Sequence, residues 1–235
     1  MADAEQQIAE NLNRIRQQVA EAAERSGRTA AEVTLIGVTK YVDLELTRSV
    51  LTAGCHDLGE SRPQQLWSKA ERMTDASVRW HLIGHLQRNK LARVMPHVHL
   101  LHSLDSLRLA TEISAWATQR QHIARVLLEV NISGDAAKHG FAPGEAAAAL
   151  ESLQSQAGLE VCGLMTMASL QGGPPAARRD FAALRALRDQ LRRQVAGGLS
   201  LPELSMGMSD DFVAAIEEGA TCVRIGSALF AGVAE

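Results

Sequence analysis

Short apolar runs alternate with amphipathic runs along nearly the whole chain, and the alternation predicts strands and helices in strict succession. From residue 5 to 25, Ile8, Leu12, Ile15, Val19 and the pair Ala22/Ala23 recur every three or four positions, and Ser26-Gly27 ends the pattern as a helix terminus does. Apolar β-like runs follow at 33–39, 56–59, 80–84, 98–102, 126–132, 159–166, 204–206 and 221–225. Between them the spacing predicts helices at 43–53, 62–73, 87–95, 106–118, 143–155, 175–195 and 209–218. Most of the strands are continuous apolar runs, as expected where both faces of a parallel sheet are covered.

Eight such strands separated by helices point to a closed (β/α)8 barrel of the TIM type, with the N-terminal helix of residues 1–27 as an addition and the barrel itself over 33–232. A doubly wound sheet is the competing arrangement. It is disfavoured because no glycine-rich dinucleotide turn follows the first strand and the polar residues collect at the ends of the strands. The whole of 1–235 is expected to be a single domain, and Gly172-Gly-Pro-Pro175 reads as a loop before a long helix.

Composition narrows the classes of function. A chain of 235 residues with 46% hydrophobic content can bury one large core. The net charge of -3 gives no reason to expect a nucleic-acid partner, and the arginines between Arg178 and Arg193 alternate with Leu and Ala as a solvated helix face does. Cys55, Cys162 and Cys222 are odd in number and lack metal-type spacing, and the polar, acidic start Met1-Ala-Asp-Ala-Glu does not resemble a signal peptide. No run is long and apolar enough to span a bilayer, so a cytoplasmic location is expected. With no coiled-coil pattern or exposed apolar stripe, the expected state is a monomer or weak homodimer.

In a barrel the strand ends converge on one mouth, where active sites of this architecture lie. The residues there are Lys40, Glu60-Ser61, His81 with Gly84, Ser103, Asn131, Met165-Thr166, Ser205 and Arg224. Lys40 closes the first strand; as a bland alternative its stem covers apolar surface and its ammonium reaches water. Desolvated at a barrel mouth, the amine would instead attack an aldehyde and form an imine. The last strand ends in Arg224-Ile-Gly-Ser227, where Gly226 and the start of a short helix at Ser227 would offer backbone N–H groups to a phosphate. Ser205 would add a hydroxyl to that cradle, and Arg224 shares a strand face with Gly226. Ser209 reads as a helix N-cap, with Asp210 and Asp211 in the first turn. His97, His99 and His102 lack ligand spacing, and no metal site is expected.

These residues resemble the pyridoxal phosphate homeostasis protein family, whose fold is similar to the N-terminal barrel of alanine racemase. The resemblance runs from about Val33 to Gly232 and rests on Gly37-Val-Thr-Lys40, Leu58-Gly-Glu60, Trp80-His-Leu-Ile-Gly-His-Leu-Gln-Arg-Asn-Lys90, Val130-Asn-Ile-Ser133, Gly163-Leu-Met165, Leu204-Ser-Met-Gly-Met-Ser-Asp-Asp211 and Val223-Arg-Ile-Gly226. It implies a barrel of the fold type III pyridoxal-phosphate class without the added β domain. It also implies pyridoxal 5'-phosphate (PLP) held as an aldimine on Lys40, with Ser205, Gly226 and Ser227 at the phosphate, Arg224 at the pyridine nitrogen, and Asn131, His81 and Met165 lining the site.

The implied role is intracellular PLP (vitamin B6) homeostasis and amino-acid balance, without an established reaction and with PLP-dependent apoenzymes as recipients. A PLP-dependent amino-acid racemase is the alternative, and a sugar-phosphate aldolase or isomerase a more distant one. The one tyrosine, Tyr41, follows Lys40 directly and, if still in the strand, points to the opposite face, which leaves a racemase without its second acid. Two positions depart from the family pattern: Ser61 stands where the family has Asn, and His139 where a small residue is common.

Overall fold

The computed structural model describes residues 2–135, 137–169, 172–195 and 199–233. Its eight strands are β1 (Thr34–Val38), β2 (Asp57–Glu60), β3 (Arg79–Leu82), β4 (Val98–Leu104), β5 (Ala124–Glu129), β6 (Leu159–Met165), β7 (Glu203–Ser205) and β8 (Cys222–Ile225). They pair in sequence order, all parallel, and β8 returns to β1, which closes the barrel. The expected TIM-type architecture is therefore the observed one.

The helices are α1 (Ala2–Arg25), α2 (Leu44–Thr52), α3 (Pro63–Ala70), α4 (Leu91–Val94), α5 (Leu107–Gln119), α6 (Ala146–Gln154), α7 (Gly173–Gln194) and α8 (Phe212–Glu217). Asp43 and Ser106 cap α2 and α5 by accepting from Leu46 N and Leu109 N, and Pro63 fits the first turn of α3 where its missing N–H costs nothing. The single helix expected over 87–95 is instead 3-10 turns at Arg88–Lys90 and Met95–His97 around the four residues of α4. Among the described residues no helix is long and apolar enough to cross a membrane.

Side-chain alternation divides the strands between two environments. Leu58, Leu82, Leu101, Leu128, Leu164, Leu204 and Val223 join the helices in the outer core. The barrel interior is partly apolar, with Leu100, Leu127, Cys162 and Met165 in a cluster of their own, and partly polar, with His81, His102, Ser205 and Arg224 all buried.

Helix α1 buries Ile8, Leu12, Ile15 and Val19, the apolar stripe read from its spacing. Its buried Asn11 donates to the carbonyls of Leu229 and Ala231 at 2.9 and 2.8 Å, which ties the helix to the turn after β8. The two bonds hold the turn that follows Gly226 and Ala228 against α1.

Candidate functional site

Strand β1 lies against β8 with Gly37 opposite Ile225 and Ile36 opposite Arg224. A Cβ built on Gly226 would stand 3.5 Å from the Val38 side chain, so the glycine corner abuts the end of β1 two residues before Lys40. Two segments nearly two hundred residues apart thus meet at the mouth. Lys40 is half-buried, and among the described residues no carboxylate or carbonyl hydrogen-bonds to its amine. Its nitrogen lies 4.8 Å from the ring centre of Tyr41. Because β1 ends at Val38, Tyr41 lies outside the strand and the condition for an opposite orientation is not met; its ring is 85% exposed and faces Lys40.

The phosphate-type cradle differs in detail from the sequence reading. After β8 the chain makes turns at 227–232 rather than a helix, and the N–H groups of Gly226 and Ala228 converge on Ser209 Oγ at 3.2 and 3.3 Å. Ser209 is therefore not the N-cap. Asp211 precedes Phe212–Glu217 in that role, and its carboxylate accepts from Met208 N at 2.6 Å. A sharp bend at Gly207, with φ +91, delivers Ser209 to the cradle; a Cβ there would stand 2.5 Å from Ala215 Cβ, so only glycine fits. Ser227 is exposed beside this corner.

Ser205 lies deeper. Its hydroxyl, fully buried, accepts from Arg224 Nη1 at 2.5 Å and contacts His102 Nδ1 at 2.8 Å, so it engages the guanidinium rather than the cradle. Arg224 also donates from Nη2 to the carbonyl of Thr166 at 3.0 Å. Burial pulls its pKa down to about 10, against the nearby Cys222, Asp211 and Glu129, and the side chain stays cationic near neutral pH.

Other strand-end residues depart from expectation. Both ring nitrogens of His81 are engaged, Nε2 with Asp57 Oδ1 at 3.0 Å and Nδ1 with His102 Nε2 at 2.9 Å, so it braces the interior. Met165 sits in the interior apolar cluster. Strand β5 ends at Glu129, short of Asn131, because the chain turns to let Phe141 N bond the Glu129 carbonyl at 2.8 Å. Asn131 instead shapes the following loop, donating to the Asp135 carbonyl at 2.8 Å and accepting from Ser133 Oγ at 3.1 Å.

Glu60 is fully buried and pairs with Lys69 of α3 at 2.6 Å. Gly84 lets the loops after β2 and β3 touch, since a Cβ on it would lie 2.3 Å from the Ser61 carbonyl oxygen.

Sequence reasoning missed Glu129, the residue that actually ends β5. Burial and the charge of Asp105 push its pKa up to about 7, over the opposing effect of Arg224 and His85. It also missed a trio from three loops: His85 Nδ1 bonds Asp105 Oδ2 at 2.6 Å and stacks on His139 at 4.6 Å, placing their ligand-type atoms within 4.8 Å of one another. Spacing along the chain carries no signal for such a grouping. At the opposite, N-terminal end of the barrel, a cavity of about 500 Å³ is lined by Arg16, Asp57 and Arg79 among others. Its lining includes the starts of β1, β2 and β3, at the end of the barrel opposite Lys40.

The arrangement offers the Lys40 amine, two backbone N–H groups gathered on a hydroxyl, and a buried guanidinium on β8, the strand that leads into those N–H groups. The family model for the alanine racemase N-terminal domain matches residues 5–233. The structure of PipY from Synechococcus elongatus PCC7942, solved with PLP bound, is 32% identical with a TM-score of 0.83, over 95% of this chain and 99% of that one. Alanine racemase from Corynebacterium glutamicum shares the fold at a TM-score of 0.70 and 19% identity, over 96% of this chain and 61% of the racemase. A pyridoxal phosphate homeostasis protein of Aquifex aeolicus is 41% identical over 94% of this chain and 96% of its own length. At that identity and coverage, the chain belongs to the pyridoxal phosphate homeostasis protein family.

Proposed function

We propose that this protein binds PLP at the barrel mouth through Lys40 and serves intracellular PLP homeostasis and amino-acid balance, passing the cofactor to apoenzymes. The observation that carries the reading is the amine of Lys40, without a carboxylate partner among the described residues, beside the Gly226 corner of the neighbouring strand. Bound there, the cofactor supplies an aldehyde carbon that Lys40 can bond with loss of one water, and a ring able to accept electron density. The N–H groups of Gly226 and Ala228, which converge on Ser209 Oγ, would turn from that hydroxyl to a phosphate, with the Ser209 hydroxyl as a further donor and Ser227 at the edge. Arg224 directs a cation toward the ring nitrogen and disfavours its protonation.

This division of labour revises the role first given to Ser205, which acts on the ring side through Arg224. The test is a visible absorption band on mixing with PLP that borohydride abolishes; a folded Lys40→Ala variant that keeps the full band overturns the assignment.

A second reading, a PLP-dependent amino-acid enzyme, draws on Glu129, whose pKa of about 7 suits a group that exchanges protons near neutrality. It predicts exchange of the amino-acid α-proton in heavy water above the rate with free PLP, reduced at least tenfold in Glu129→Gln. Exchange no faster than with free PLP eliminates it.

A further inference from the structure

The polar half of the barrel interior is one continuous line of hydrogen bonds. Arg224 Nη1 meets Ser205 Oγ at 2.5 Å, Ser205 Oγ meets His102 Nδ1 at 2.8 Å, His102 Nε2 meets His81 Nδ1 at 2.9 Å, and His81 Nε2 meets Asp57 Oδ1 at 3.0 Å. Arg79 Nε closes the line on Asp57 at 2.7 Å. Four strands besides β8 contribute, and Ser205, His102, His81 and Asp57 are all buried. Among the described residues no carboxylate hydrogen-bonds to Arg224, so the acid joined to it by bonds is Asp57, across the barrel; Glu129 and Asp211 act on it only through space.

The hydrogens follow by elimination. A guanidinium only donates and a carboxylate only accepts, which fixes both ends. Ser205 Oγ accepts from Arg224, so its own hydrogen is free for His102 Nδ1, which must then be bare. Neutral His102 carries its hydrogen on Nε2 and donates to a bare His81 Nδ1; His81 in turn donates from Nε2 to Asp57. Every bond points from Arg224 to Asp57.

In the reversed order, with the extra proton on His81, two donors would crowd Ser205 Oγ. The serine hydrogen would then lack a partner in a buried place, and such losses are costly. Burial, aided by the positive charge of Arg224, also holds His102 well below the usual imidazole range.

We propose that His102 is a positioning residue: with Asp57, His81 and Ser205 it forms a one-way hydrogen-bond chain that holds Arg224 in place and thereby keeps the ring nitrogen of the bound cofactor unprotonated. The cofactor half rests on the reading under Proposed function; the chain itself belongs to the apoprotein. Polarisation along linked hydrogen bonds lets the Asp57 charge be felt at Arg224 without contact, and the guanidinium keeps its remaining N–H groups for the mouth.

Nitrogen-15 NMR of the apoprotein at neutral pH tests the chain without any variant. His81 and His102 are expected to be neutral, each with hydrogen on Nε2 and a bare Nδ1; a doubly protonated ring or the opposite tautomer in either overturns the one-way chain. The positioning role is tested on PLP-loaded protein by the ring-nitrogen signal. His102→Leu is expected to move that signal toward the protonated form and to raise the Kd for PLP about tenfold. His102→Gln keeps an acceptor for Ser205 and a donor for His81, and is expected to restore both values. A folded His102→Leu protein with the wild-type ring-nitrogen signal overturns the role. Failure of wild-type protein to take up PLP overturns the cofactor half, while the apoprotein imidazole signals still decide the chain.

Discussion

Lys69 Nζ stands 2.6 Å from Glu60 Oε1, and both side chains are buried behind the mouth. The same ammonium donates to the carbonyl of Thr39 at 2.8 Å, and the Thr39 hydroxyl donates to Glu60 Oε1 at 2.7 Å. A pair that looks purely structural therefore fixes the peptide that precedes Lys40. Removing one member leaves the other charge buried and unpaired, which costs about 3–5 kcal/mol. Lys69→Met is expected to lose that much by urea unfolding, and Lys69→Met with Glu60→Leu to regain a large part of it. A single variant as stable as wild type contradicts the pairing.

Glu129 makes the stability of the barrel depend on pH in a defined sense. Burial and Asp105 raise its pKa from 4.5 to about 7, so the folded state holds this proton more tightly than the unfolded chain does. The resulting stabilisation is complete below about 4.5 and is lost as pH rises through about 7, by ~3 kcal/mol at most. Glu129→Gln cannot ionise there. The melting temperature of wild type relative to Glu129→Gln is expected to fall between pH 5 and pH 8; a constant difference across that range refutes the assignment.

The barrel was legible because its signal is repeated: eight apolar runs at regular intervals leave few other ways to cover both faces of a parallel sheet. Lys40 and Gly226 were legible for the same reason, since closure of the barrel makes first and last strands neighbours. What escaped is what depends on side-chain direction. Ser205 and Ser209 are four residues apart, and only the bend at Gly207 decides that one hydroxyl enters the interior and the other the cradle. His102 carries no signal along the chain because its spacing to the other histidines is uninformative, whereas its partners come from β3 and β7. The early end of β5 moved the functional emphasis from Asn131 to Glu129, and the cause is a long-range bond to Phe141 that no local propensity encodes.

The split between the two serines has a measurable consequence for ligand preference. Ser209→Ala removes the hydroxyl from the cradle and is expected to weaken PLP binding about tenfold while leaving pyridoxal, which lacks the phosphate, nearly unaffected. Ser205→Ala acts through Arg224 on the ring side and is expected to weaken both ligands alike. Equal losses for PLP and pyridoxal in Ser209→Ala contradict the cradle assignment.

Asp57 sets the acid limit of the interior chain. Burial alone would raise its pKa, but hydrogen bonds from His81 and Arg79 outweigh that and bring it down to about 2. The folded state thus holds the proton less tightly than the unfolded chain, and the stabilisation is present above about 3.8 and lost as pH falls through about 2. His102 adds to the same slope at higher pH: its pKa lies below the ordinary imidazole value of 6.5, so its share is full above that value and declines as pH falls below it. Asp57→Asn keeps an oxygen for His81 but removes the carboxylate that draws the chain in one direction. It is expected to be less stable than wild type by about 2 kcal/mol at pH 7, a gap that holds down to about pH 4 and then narrows, closing near pH 2. Unfolding free energies of the two proteins measured across that range provide the check, and a gap that widens with acid reverses the sign assigned to Asp57.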